Sequence, residues 1–347
     1  MTLTDAQPSD KEQLRKLSGW GLLKVLIAVA LAGIVISNVQ RSDLAKLIGR
    51  ISVPWLIVGM AALVCTTWCL TVRYWILLER QVPLPQMLGI VILQNGLTSF
   101  VASGAGLASY LVTLRGEYGI SVRRGVMSLL VARWGDVLAI DVALAISSWV
   151  LWPQIPPLHA MIIVLLVGIT GGLLVLCFPL LLPQPTSVAI RKFVRATRLA
   201  RVAFVDRAAH ELTIQLDTDA GKMRRSFLPL TGYSCLIFLL MTCWVYAVVR
   251  AFALPIGIWP VALTGALTQL MTVIPVQVFG GLGVYDVTSM YLYGLLGIAQ
   301  PESAPFIVSL RAILYFVNGL LLLYLPVMAW LDPKRHPTDV AAGPAPK

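Results

Sequence analysis

The chain has 347 residues, 58% of them hydrophobic and only 12% charged, with a mean hydropathy of +0.83. Soluble globular chains carry about 25% charged residues, so the composition excludes a water-soluble catalytic body and points to an all-α helix bundle in a bilayer. The net charge of +11 sits between apolar segments, where membrane orientation and anionic lipid account for it, so no nucleic-acid partner is expected.

Residues 1–19 are polar and read as a cytoplasmic N-terminal segment, followed by a membrane domain over residues 20–331. A spanning helix needs roughly 20 apolar residues. Trp20 to Ser37 lacks a small-residue cleavage site after it and reads as a retained helix. Further full spans are predicted over Val53 to Leu78, Val126 to Leu151, Ala160 to Leu182, Leu228 to Phe252 and Phe306 to Leu331, six in all. The cysteines Cys65, Cys69, Cys177, Cys235 and Cys243 all lie in such runs without a CxxC or a histidine pair, so neither a zinc site nor a disulfide framework is expected.

Two other apolar regions are broken by glycine and polar residues, Leu88 to Leu114 and Trp259 to Ile298. Irregular backbone at membrane depth survives only where protein or a wet cavity satisfies it. Each region is therefore expected to be a pair of short helices, either re-entrant or crossing as one broken helix. The two resemble an internal repeat. Gly104 and Gly106 precede Arg133, Gly281 and Gly283 precede Arg311, and the spacings are nearly equal.

Basic residues set the orientation. The segment Pro183 to Phe227 carries Arg191, Lys192, Arg195, Arg198, Arg201, Arg207, Lys222, Arg224 and Arg225, and the positive-inside rule makes it cytoplasmic. Its apolar residues recur at helical spacing, so residues 183–227 read as a basic amphipathic loop lying on anionic inner-leaflet lipids. Both termini, including the tail at 332–347, then fall in the cytoplasm, while Arg41 to Arg50 is a mild exception on the outside. The helix before the first break runs inward and the one before the second runs outward. Inverted repeats with broken helices are a plan of secondary transporters.

Charges inside apolar helices are the candidate functional groups, because each costs roughly 2.5–3.5 kcal/mol to insert. Arg133, Asp136 and Asp141 share one helix, and Arg133 and Asp136 are spaced to pair. They read either as a headgroup site, with arginine for phosphate and carboxylates for a cation or proton, or as a structural ion pair. Arg311 reads as a second phosphate ligand or as a snorkelling cation. In Pro275 to Asp286, PVQVFGGLGVYD, glycines allow a turn, a helix is expected to start near Val284, and Asp286 falls in its first turn. Asp286 is either a dipole-favoured carboxylate or a cavity-facing cation site. Arg73 and Tyr74, near a helix end, are explained by snorkelling and an aromatic belt. His159, His210 and His336 are isolated and suggest no metal site.

At PVQVFGGLGVYD the chain resembles the flippase-like membrane domain of the lysylphosphatidylglycerol synthases, which also occurs in stand-alone members. That family shows a Gly-Gly-x-Gly-Val-x-Glu stretch. Gly280, Gly281, Gly283 and Val284 match it, and Asp286 stands in place of the Glu. The stretch at Arg73 looks like the family's Arg-Trp-x-x-Leu, and Gly104 to Arg133 looks like its other half-site. Where the family often has Gly-Asp followed by Arg, this chain has Ala108, Ser109 and Tyr110. The resemblance implies a lipid-flipping fold without the aminoacyl-transfer domain, with Gly280, Gly281 and Gly283 at the site.

The leading expectation is a flippase or transporter of an anionic, polyprenyl-linked or hopanoid/glycolipid-type lipid in the bacterial inner membrane. It would use no cofactor and no metal and would not be an enzyme. One alternative is a membrane transferase acting on a lipid-linked sugar, supported by Asp217 and Asp219 alone. Another is a non-catalytic partner of a lipid-synthesis enzyme.

Overall fold

The computed structural model describes residue 49 and residues 51–181, 229–271, 284–298 and 300–331. The span Trp20 to Ser37, the 183–227 loop, the Asp217/Asp219 pair, both terminal segments and Gly280, Gly281 and Gly283 lie outside the described residues. Among the described residues every regular element is helical, as expected for a polytopic membrane bundle. The helices are α1 (Val53–Leu77), α2 (Leu84–Phe100), α3 (Ser103–Tyr118) and α4 (Val122–Leu151). Then come α5 (His159–Leu181), α6 (Pro229–Ala251), α7 (Ile258–Met271), α8 (Val284–Leu295), α9 (Gln300–Leu322) and α10 (Tyr324–Leu331).

Among the described residues, four segments are long and apolar enough to cross a membrane: Val53–Leu77, Pro156–Leu174, Pro229–Ala251 and Glu302–Val327. Helix α4 is longer than any of them, at 30 residues, but its charges interrupt the apolar character. The helices carry large side chains on open faces, such as Trp149 at 83% exposure and Val164 and Val167 at 70%. Such contiguous exposed apolar surface is what lipid covers. Two hydroxyls of α1 are satisfied by their own helix: Thr66 and Thr71 donate to the carbonyls of Ala62 and Thr67.

Two compact units divide the chain. The first comprises residues up to Ser128 and from Leu240; the second is Leu129 to Leu239, so α4 and α6 pass from one to the other.

In the first unit the core gathers Trp244, Val248, Phe252, Tyr293, Phe306 and Leu310. Trp244 packs so closely on α1 that a Cβ at Gly59 would stand 3.2 Å from its ring. The expected helix pair in Leu88 to Leu114 is present as α2 and α3. They form a hairpin rather than one broken rod, because Tyr118 at the end of α3 donates a hydrogen bond to Gln86 at the start of α2 (3.1 Å). The turn is Val101–Ala102, just before the glycines. Gly106 serves the packing instead: a Cβ there would overlap the Thr98 hydroxyl and come 2.5 Å from the Gln94 carbonyl oxygen. At 1.5 Å per residue each arm is about 25 Å long, short of a roughly 30 Å hydrocarbon core. Helix α3 stops at Gly119, whose φ of 64° is the left-handed C-terminal conformation that glycine takes without a Cβ clash.

The last long helix begins at Gln300, ahead of the expected Phe306, and breaks at Leu323 before α10. Consequently Arg311 lies about 16 Å inside its helix. Helix α9 runs antiparallel to α2. Asn318 meets Ser99, Gly96 comes within van der Waals reach of Leu322, and the Tyr324 hydroxyl donates to the Pro85 carbonyl (3.2 Å).

In the second unit α4 turns back at two short 3-10 turns, Trp152–Gln154 and Pro156–Leu158, into α5. His159 closes the corner by stacking on Trp152, ring centroids 3.8 Å apart. Ala132, Gly135 and Ala139 form a buried seam on α4, and Gly135 packs directly on Ser234 of α6.

Candidate functional site

Asp286 and Arg311 come together. The helix α8 starts at Val284, as the glycine stretch predicts, and puts Asp286 in its first turn. Arg311 Nε donates to Asp286 Oδ1 at 2.7 Å, with the carboxylate side chain 3% exposed and the guanidinium 11%. This is a buried, charge-assisted bond between α8 and α9. The snorkelling alternative for Arg311 is overturned, because its head is turned onto Asp286 at mid-helix. The guanidinium also lies over the Tyr285 ring, 4.9 Å from the centroid. Removing one member of such a pair leaves an uncompensated buried charge, at a cost of about 3–5 kcal/mol.

The α2–α3 hairpin delivers its tip to the same stretch of α9. Phe100 packs on Tyr315, ring centroids 5.5 Å apart, and Asn318 Nδ2 donates to the Ser99 hydroxyl at 2.9 Å. Arg311, Tyr315 and Asn318 fall at i, i+4 and i+7 and so share one face of α9. Gln94, six residues before the tip, is 9% exposed, and its Oε1 has no hydrogen-bond donor among the described residues. The arrangement joins a hairpin tip, a helix N-terminus and a cation at mid-depth. It offers a guanidinium for phosphate and amide and hydroxyl groups for sugar or glycerol oxygens.

The charges of α4 behave differently. Arg133 is exposed and forms no hydrogen bond or ion pair among the described residues, so the pairing expected with Asp136 is not made. The reason is angular. The seam through Ala132, Gly135 and Ala139 faces inward, and Arg133 stands about 100° round the helix from Ala132. Asp136 is half-buried. Asp141 is 8% exposed and accepts a hydrogen bond from Thr170 Oγ1 of α5 at 2.8 Å.

A buried polar group was misread from the sequence. Arg73, attributed there to snorkelling, is 1% exposed and is the largest fully buried side chain of the described residues. Its guanidinium lies 5.4 Å from the Tyr74 ring centroid, and Tyr74 packs on Tyr110 at 5.2 Å. The Tyr110 hydroxyl meets Ser128 Oγ at 2.9 Å. Since Ser128 already donates to the Gly125 carbonyl (2.7 Å), Tyr110 is the donor. The signal available was the cation five residues inside the end of an apolar run, beside two aromatics.

The family model described as the lysylphosphatidylglycerol synthase TM region matches residues 21–321. The chain belongs to the lysylphosphatidylglycerol synthase TM region family. The match takes in Arg73, Asp141, Asp286 and Arg311, and makes the protein a multi-pass membrane protein of a lipid-related family. Comparison with curated proteins and with solved structures gives no match.

Proposed function

We propose that this protein is a lipid transporter or flippase. It moves a lipid with an anionic or polyprenyl-phosphate headgroup, or a hopanoid or glycolipid, between leaflets of the bacterial inner membrane, with both termini cytoplasmic. The observation that carries the reading is the buried Asp286–Arg311 pair at mid-depth of α9, met by the tip of a hairpin too short to cross. A lone buried ion pair contributes little to stability. Polar groups gathered at membrane depth, where short helices end, suit a headgroup that must pass through an apolar medium.

In this reading a phosphate displaces Asp286 from Arg311, exchanging one anionic partner for another without ever leaving the guanidinium bare. The displaced carboxylate stays at the start of α8, where the helix dipole favours it. Exposed Arg133 is open to a phosphate. The glycines 280, 281 and 283, by family resemblance, belong to the same site as Asp286. The basic 183–227 loop would hold the protein against anionic inner-leaflet lipid.

The test is reconstitution into vesicles carrying a fluorescent lipid, with a membrane-impermeant quencher outside. Wild-type protein should raise the fraction of label reached by the quencher for at least one of a panel of phospholipids and polyprenyl phosphates. No acceleration across the panel rejects the proposal.

A further inference from the structure

We infer that Asp141, held by Thr170 between α4 and α5, is a proton-binding site. The carboxyl group is more than nine-tenths buried and only one of its oxygens is served. Thr170 Oγ1 donates to Oδ2 at 2.8 Å, while Oδ1 is buried and has no hydrogen-bond partner among the described residues. An ionised carboxylate needs donors on both oxygens when water is removed. One hydroxyl does not supply them, and a proton removes the requirement by removing the charge.

The position suits that chemistry. Asp141 lies ten residues before Leu151, and Thr170 lies eleven residues after His159, on either side of one corner. Both are about 15 Å from it along their helices, half of a roughly 30 Å hydrocarbon core. Few other charges act there. Helix α5 has no acidic or basic residue beyond His159, which is stacked on Trp152 at the corner. The segment of α6 that meets Gly135 brings only Tyr233 and Cys235 as titratable groups, and α4 itself brings Arg133 and Asp136.

Two oxygens are too few for a hard metal cation, which takes about six. If the transport proposed above is correct, this site gives it a proton to couple to, but the site itself does not depend on that reading.

Carbodiimides modify carboxylic acids that are protonated in apolar surroundings. Full-length protein in phosphatidylglycerol/phosphatidylethanolamine vesicles is treated with dicyclohexylcarbodiimide over a pH series, with and without sodium, and modification is mapped by peptide mass spectrometry. Asp141 should be modified, with a rate falling roughly tenfold per pH unit on the alkaline side, the slope of one proton. Thr170→Val removes the one hydroxyl that holds Oδ2 and should change the rate at which Asp141 is modified at a given pH. No modification of Asp141, a pH-independent rate, or protection by sodium overturns the assignment. An unchanged profile in Thr170→Val does so too, because it removes Thr170 from the site. Every one of these results is independent of whether lipid moves.

Discussion

The two intramembrane arginines that the sequence sets in matching positions live in opposite surroundings. Arg311 is 11% exposed, bonded to Asp286 and covered by Tyr285, whereas Arg133 is exposed and carries no partner among the described residues. Equal spacing from a glycine pair therefore does not give equal environment. What decides it is the neighbour each helix packs against. Helix α9 presents Arg311 to the start of another helix that bears a carboxylate. Helix α4 buries a seam of alanine and glycine instead, which leaves its arginine to one side.

The largest expected effect tests that difference directly. Arg311→Ala removes the charged partner of the buried Asp286 carboxylate and should cost about 3–5 kcal/mol of stability. Arg133→Ala should stay within about 0.5 kcal/mol. Thermal unfolding in detergent, followed by tryptophan fluorescence, compares them, and equal losses would dissolve the contrast. The double variant Arg311→Met, Asp286→Leu should recover most of the stability lost in Arg311→Ala, since apolar replacement of a buried pair is often neutral. It should not recover lipid movement in the quenching assay.

A smaller effect separates the glycines of the hairpin. Gly106→Ala should cost about 1–3 kcal/mol through overlap with Thr98 and the Gln94 carbonyl. Gly104→Ala has open space and should be neutral or stabilising by up to about 1 kcal/mol. The same unfolding measurement reads both, and a loss in Gly104→Ala would move the close approach elsewhere. Smallest of all, Tyr110→Phe removes one hydroxyl bond to Ser128 and should cost about 0.5–1.5 kcal/mol. A larger loss would mean the hydroxyl has a further role around Arg73.

Helices were readable because a bilayer imposes one length and one polarity on them. Thus Val53–Leu77 begins and ends within a residue of the expected run, and α5 begins at His159, one residue before its own. The start of α8 and the first-turn place of Asp286 followed from the glycines before it. Partnerships across helices were not readable. Nothing in the spacing links residue 286 to 311, or Ser99 to Asn318, 219 positions away. Glycine misled once for a physical reason: it marks both turns and close approaches. Gly106 is the second kind, while the turn itself uses Val101 and Ala102. Arg73 misled because a cation near the end of an apolar run ordinarily reaches water, and here it is buried with its guanidinium against the Tyr74 ring.

The hairpin of α2 and α3 also bears on how the polypeptide is threaded. Because the bond from Tyr118 to Gln86 brings its two ends together, the chain leaves this element on the face it entered. Two helices are thus added to the count without changing its parity. A reporter enzyme fused just before Leu84 and one fused just after Gly119 should then signal from the same compartment.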